Sequence, residues 1–123
     1  MPLKYSRAVL IVDDDPADQK LFARHSEKHG FPVITTGSPE TAMAAIVGGT
    51  VGCLVTDQIM PVTGGELATL ARGVRRDLSI VVYSGAAGRK ESLPPNTFYV
   101  NKDEPGALVE IVTKCMQRWV VQS

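Results

Sequence analysis

At 123 residues, with 44% hydrophobic and 21% charged side chains, the chain has the composition of an ordinary globular domain and can bury roughly two-thirds of its unfolded surface around one core. Thirteen basic side chains offset thirteen acidic ones, so no net field favours nucleic acid or an anionic membrane surface as the main partner. Cys53 and Cys115 lie inside apolar patterns with no further pair for a zinc cluster or disulfide framework, and the longest apolar runs, 42–47 and 8–12, are too short for a membrane span or a signal-peptide core. The expectation is one cytoplasmic domain over residues 1–123, with reduced cysteines.

In chain order, Ala8 to Val12 reads as a strand. Asp15 follows as an N-cap with Pro16 in the first turn of a helix that stops near Gly30 and presents Ala17, Leu21 and Phe22 inward. Val33 to Thr36 is the second strand. Ser38 and Pro39 repeat the start signal for a helix with an Ala42, Met43, Ile46, Val47 stripe, ended by Gly48 and Gly49. After a third strand, Val51 to Thr56, a helix follows Gly65 with Leu67, Leu70, Ala71 and Val74 on one face. Ser79 to Tyr83 is the fourth strand and Thr97 to Val100 the fifth. The twelve residues between, Gly85 to Asn96, include Gly85, Gly88, Pro94 and Pro95 and leave room for a helix of one or two turns at most. The last helix runs from Pro105 to about Trp119, with Leu108, Ile111, Val112, Cys115 and Trp119 on one side. Short β-branched runs alternating with helices specify an α/β domain, a parallel sheet covered on both faces.

Ligands of such sheets bind at the carboxyl ends of the strands. Reading only those positions collects Asp13, Asp14 and Asp15, then Asp57, Ser84 and Lys102. Three converging carboxylates repel one another unless a cation lies between them, and hard oxygen donors suit magnesium or manganese. Aspartate is also among the best N-caps, the role assigned to Asp15, but three in a row is more than a cap needs. A phosphoryl group on Asp57 needs its spread charge matched by a hydroxyl, an ammonium and a divalent ion, and Ser84 and Lys102 supply the first two. His25 and His29, one turn apart, lack a third ligand nearby and read as a solvated face. Met60 and Trp119 read as packing residues.

The segments LIVDDDP at 10–16, LVTDQIMP at 54–61 with Gly65 beyond, VVYSGA at 81–86 and FYVNK at 98–102, with Asp57 placed 43 residues after Asp14 and 45 before Lys102, together resemble the receiver domain of two-component response regulators. The resemblance runs nearly the full length. It implies a flavodoxin-like, doubly wound, five-stranded parallel sheet of order 2-1-3-4-5, in which the Gly85 to Asn96 spacing leaves the fourth helix shortened. It also implies Asp57 as phosphoacceptor, Asp13 and Asp14 with the backbone carbonyl of Ile59 as metal ligands, and Ser84 and Lys102 on the phosphoryl group. Ser84 and Tyr99 become the switch pair. The implied cofactor is magnesium or manganese. The implied partners are a sensor histidine kinase or histidine phosphotransfer protein and a downstream protein, with neither nucleic acid nor membrane insertion. The only catalysis implied is self-phosphorylation and autodephosphorylation.

Two departures stand out. The family commonly carries a cis proline after the lysine, whereas Asp103 occupies that place, and a non-proline cis bond costs about 2.5–4 kcal/mol, so a trans bond is expected. The short Gly85 to Asn96 connection trims the helix on the family's partner-binding face. Two other readings remain at this point: a receiver that has become a phosphorylation-independent binding module, and an aspartyl-phosphate phosphohydrolase, against which stands Ile59 where such enzymes place a second acid.

Overall fold

The computed structural model describes residues 5–58, 63–85 and 93–121. Five strands, β1 (Ala8–Val12), β2 (Val33–Thr36), β3 (Val51–Asp57), β4 (Ser79–Ser84) and β5 (Thr97–Asn101), form one parallel sheet of order β2-β1-β3-β4-β5. Four described helices cover it: α1 (Pro16–Lys28), α2 (Pro39–Val47), α3 (Gly64–Val74) and α4 (Pro105–Met116), the last continued by a 3-10 turn, Gln117–Trp119. The order is the doubly wound one expected, and β3 to β5 each run one residue further than their apolar runs suggested. The Gly85 to Asn96 connection, expected to hold a helix of one or two turns at most, lies largely outside the described residues, and its described residues, 85 and 93–96, are not helical.

Strand alternation divides the core into two layers. Val9, Ile11, Cys53, Val55, Val81 and Tyr83 face α1 and α4, where Phe22, Leu108, Val112, Cys115 and Met116 meet them. Leu10, Val12, Leu54, Ile80 and Val82 face α2 and α3, against Ala42, Ile46, Leu67, Ala68 and Ala71. Both cysteines are free and buried, as expected. No described helix is long and apolar enough to cross a membrane.

The helix faces are narrower than the apolar stripes implied. Leu21, Val47, Leu70 and Val74 are exposed, and so is Ala17, while Ser26, Ala68 and the glycines Gly64 and Gly65 are buried. A helix lying on a flat sheet touches it along a thin arc. Small side chains in that arc bring the backbones close and lift the larger flanking residues off the surface.

At the opposite end from the strand tips, the β1–β3 register skips a residue: Ala8 pairs with Val51 and Val9 with Cys53. Gly52 is the extra residue, and the Trp119 ring lies on it, its Nε1 donating to the Gly52 carbonyl at 3.2 Å. Arg7 and Arg118 guanidinium groups lie 4.9 and 5.0 Å from the same ring. Trp119 is therefore a packing residue, as its sequence context indicated.

Candidate functional site

The site is built at the carboxyl edge by strand ends. Val12 pairs with Thr56, so the residues that follow, Asp13 and Asp57, emerge side by side; Asp57 in turn pairs with Tyr83. The Asp13 N–H donates to the Thr36 carbonyl at 3.0 Å, which holds the chain in strand geometry one residue past β1. Asp15 then caps α1, its Oδ1 accepting from the Ala17 N–H at 2.9 Å, as expected of this residue and of Pro16 at the first helical position. One oxygen each of Asp13, Asp14 and Asp57 lie within 4.8 Å of one another. Asp13 and Asp57 are buried and Asp14 is exposed, so two charges are withdrawn from water and one reaches it.

Burial pushes the Asp13 carboxyl above its ordinary value. Hydrogen bonds from Tyr83 and the Asp15 N–H, and the Lys102 charge, oppose that shift, while Asp57 adds to it. The donors are the Asp15 N–H, to Oδ1 at 2.9 Å, and the Tyr83 hydroxyl, to Oδ2 at 2.5 Å. Tyr83 is itself fully buried, and burial first, then the bond to Asp13 and the surrounding carboxylates, raises its phenol pKa far above the usual range. It stays a neutral donor.

Lys102 crosses the site. Its Nζ donates to Asp18 Oδ2 at 2.8 Å and to Asp57 Oδ2 at 3.0 Å, with Asp13 Oδ2 at 3.8 Å. Burial alone lowers the ammonium pKa, but the bonds to Asp18 and Asp57 and the charges of Asp57 and Asp13 outweigh it, and the net shift is upward. The Lys102–Asp103 bond is trans, since the described residues contain no cis peptide, yet the lysine still reaches Asp57. Its backbone N–H is fixed by the Ser84 carbonyl at 2.9 Å.

Ser84 closes β4 with its side chain buried. Alternation along β4 sets it on the side of Val82, the side against which Tyr99 packs from β5. The Tyr99 hydroxyl is buried with no hydrogen-bond partner among the described residues. Ile59 and Met60 lie outside the described residues. His25 sits on α1 and His29 is its C-cap, with the His29 ring nitrogen 3.0 Å from the His25 carbonyl; among the described residues no third ligand joins them, the sole such cluster being the aspartates.

Three contributors had not been singled out. Asp18, in the first turn of α1, was legible only as an acid close behind the Asp13–Asp15 run. Tyr83 carried a weaker signal, an aromatic with a polar tip immediately before the serine. The third is the β3–α3 return: Gln58 Oε1 accepts from the Gly65 N–H at 2.8 Å, and a Cβ on Gly64 would lie 2.5 Å from the Asp57 carbonyl oxygen.

The three clustered carboxylates and the cross-site ammonium together can bind a hard divalent cation and neutralise an anion placed on Asp57. No family model matches the sequence, and no curated protein matches it. Solved structures do. A response regulator receiver protein from Sinorhizobium medicae is 23% identical, with 90% of this chain and 94% of that one covered at a TM-score of 0.80. The response regulator TrrA from Thermotoga maritima, solved in complex with Mg2+ and BeF, is 23% identical, with 89% and 98% covered at 0.78. The receiver domain of the hybrid histidine kinase CckA is 25% identical, with 89% and 99% covered at 0.75.

Proposed function

We propose that this chain, which has the fold of the response regulator receiver domains, is a phosphoacceptor signalling domain: Asp57 takes a phosphoryl group from a phosphohistidine on a sensor kinase or phosphotransfer protein. One observation carries the reading. Lys102 Nζ lies 3.0 Å from Asp57 Oδ2, and Asp13 and Asp14 each bring an oxygen within 4.8 Å of that carboxylate, so acceptor, countercharge and candidate metal ligands converge.

In the transfer, an Asp57 carboxylate oxygen attacks phosphorus, the bond from phosphorus to the histidine nitrogen breaks, and that nitrogen leaves with its electron pair. The product is an acyl phosphate on Asp57, later hydrolysed by water. Lys102 meets the charge on one phosphoryl oxygen and the Ser84 hydroxyl donates to another. Clustered hard oxygens of three mutually repelling aspartates, two of them buried, fit magnesium, which Asp13, Asp14 and Asp57 would hold, with the Ile59 carbonyl outside the described residues as a further ligand. Magnesium supplies positive charge against the transferring phosphoryl group. Phosphorylation then switches a protein-contact surface through Ser84 and Tyr99. The chain catalyses only its own phosphorylation and dephosphorylation.

Incubation with acetyl phosphate and magnesium tests the proposal. The wild type should gain one phosphoryl group that base and hydroxylamine remove, and Asp57→Asn, nearly isosteric but unable to form the acyl phosphate, should gain none. A wild type that stays unlabelled, correctly folded, is a binding module instead.

A further inference from the structure

We propose that Asp18 is the positioning residue that holds Lys102 over Asp57. The inference rests on the phosphoacceptor reading and adds to it a residue on α1 that takes no part in metal or phosphoryl contact. A lysine stem is long, and fixing it costs side-chain entropy that some contact must offset. With the trans bond after Lys102, the loop beyond β5 is not shaped by a cis proline. The ammonium is held instead from across the site: the Asp18 contact, 2.8 Å, is shorter than the Asp57 contact, 3.0 Å.

The rest of the stem is guided by its surroundings. Lys102 Nζ lies 5.0 Å from the centroid of the Tyr83 ring, and the Lys102 Cδ runs 3.5 Å from where a Cβ on Gly85 would be. An ammonium has three N–H donors. Asp18 and Asp57 take two, and Asp13 Oδ2 at 3.8 Å is beyond hydrogen-bond reach of the third. Asp18 therefore anchors the lysine and leaves one donor for a phosphoryl oxygen. Asp18 also sits in the first turn of α1, where any acid favours the helix, and that role must be separated from the anchoring one.

The experiment compares wild type, Asp18→Asn and Asp18→Glu in the full chain, each checked for folding by thermal unfolding. The first readout is the 15N resonance of the Lys102 ammonium without any ligand. The second is the affinity for beryllofluoride in the presence of magnesium. Asp18→Asn should shift the Lys102 resonance toward that of the exposed lysines and weaken beryllofluoride by about tenfold, equivalent to about 1.4 kcal/mol, and Asp18→Glu should recover both. A purely helix-stabilising Asp18 would leave the Lys102 resonance unmoved in Asp18→Asn, and tighter beryllofluoride binding would make Asp18 a competitor for the lysine; either result overturns the proposal. If the wild type binds no beryllofluoride, the phosphoacceptor reading fails, while the resonance still decides whether Asp18 holds Lys102.

Discussion

Tyr83→Phe removes one oxygen from the middle of the site and leaves the ring, with its edge contact to Phe22 at 4.8 Å between centroids, in place. The lost group is the donor to Asp13 Oδ2. Because Asp13 is fully buried, no water replaces that donor, and the cost is that of a buried hydrogen bond to a charged group, about 1.5–3 kcal/mol. For a chain of this size the melting temperature should fall by roughly 5–15 °C. The bond favours ionised Asp13 and so lowers its folded-state pKa. Its stabilisation is therefore present above the Asp13 titration and is lost as pH falls through it, a window lying above the 3.8 of an ordinary aspartate because burial raises this one. Urea unfolding of both proteins between neutral and acid pH should show a large gap that closes on acidification. A gap below about 0.5 kcal/mol at neutral pH, the scale of an ordinary surface substitution, would refute a Tyr83 hydroxyl bonded to the Asp13 carboxylate.

Three further outcomes follow from the same geometry. Asp13→Asn with Asp14→Asn should abolish magnesium binding in a calorimetric titration, whereas Asp15→Ala should leave it intact and cost about 1 kcal/mol of stability as a lost helix cap; equal losses of affinity would contradict this division. In Gly64→Ala the helix-propensity gain is at most about 1 kcal/mol, but the new Cβ meets the Asp57 carbonyl oxygen at 2.5 Å, an overpacking cost of about 1–3 kcal/mol. A 1 Å displacement of Asp57 would slow labelling about 100-fold, and unchanged labelling kinetics would show the loop yielding elsewhere. The raised Lys102 pKa contributes stability that is complete below the unfolded value of 10.5 and is lost as pH rises through the folded one, so stability should decline above that pH less steeply in Lys102→Met than in the wild type; parallel declines would remove Lys102 from the charge network.

The strands and the five polar residues at their carboxyl ends were legible because both depend on local pattern: a β-branched run ends, and the next one or two residues lie at the crevice. Asp13, Asp14, Asp57, Ser84 and Lys102 all lie where that rule puts them. Helix faces were less legible. Leu70 and Val74 share a stripe with Leu67 and Ala71, but the sheet accepts only the arc through Gly64, Leu67, Ala68 and Ala71, and periodicity alone does not tell which part of a broad stripe is in contact. Asp18 and Tyr83 needed two things absent from local pattern, the rotational phase of α1 and the register that sets Asp57 against Tyr83. Phe98 shows the same limit at the sheet edge: it sits on β5 between half-buried Thr97 and Tyr99 and is itself 49% exposed, because β5 has a neighbour on one side alone.

The central claim is that Asp57 itself carries the phosphoryl group, and borohydride reduction tests it at residue level. Borohydride converts an aspartyl phosphate to homoserine and leaves free aspartate unchanged. After treatment with acetyl phosphate and magnesium, peptide mass spectrometry should find homoserine at position 57 and at no other aspartate, and none when magnesium is chelated. Unreduced Asp57 in a labelled protein, or homoserine at Asp13, Asp14 or Asp18, would contradict the account.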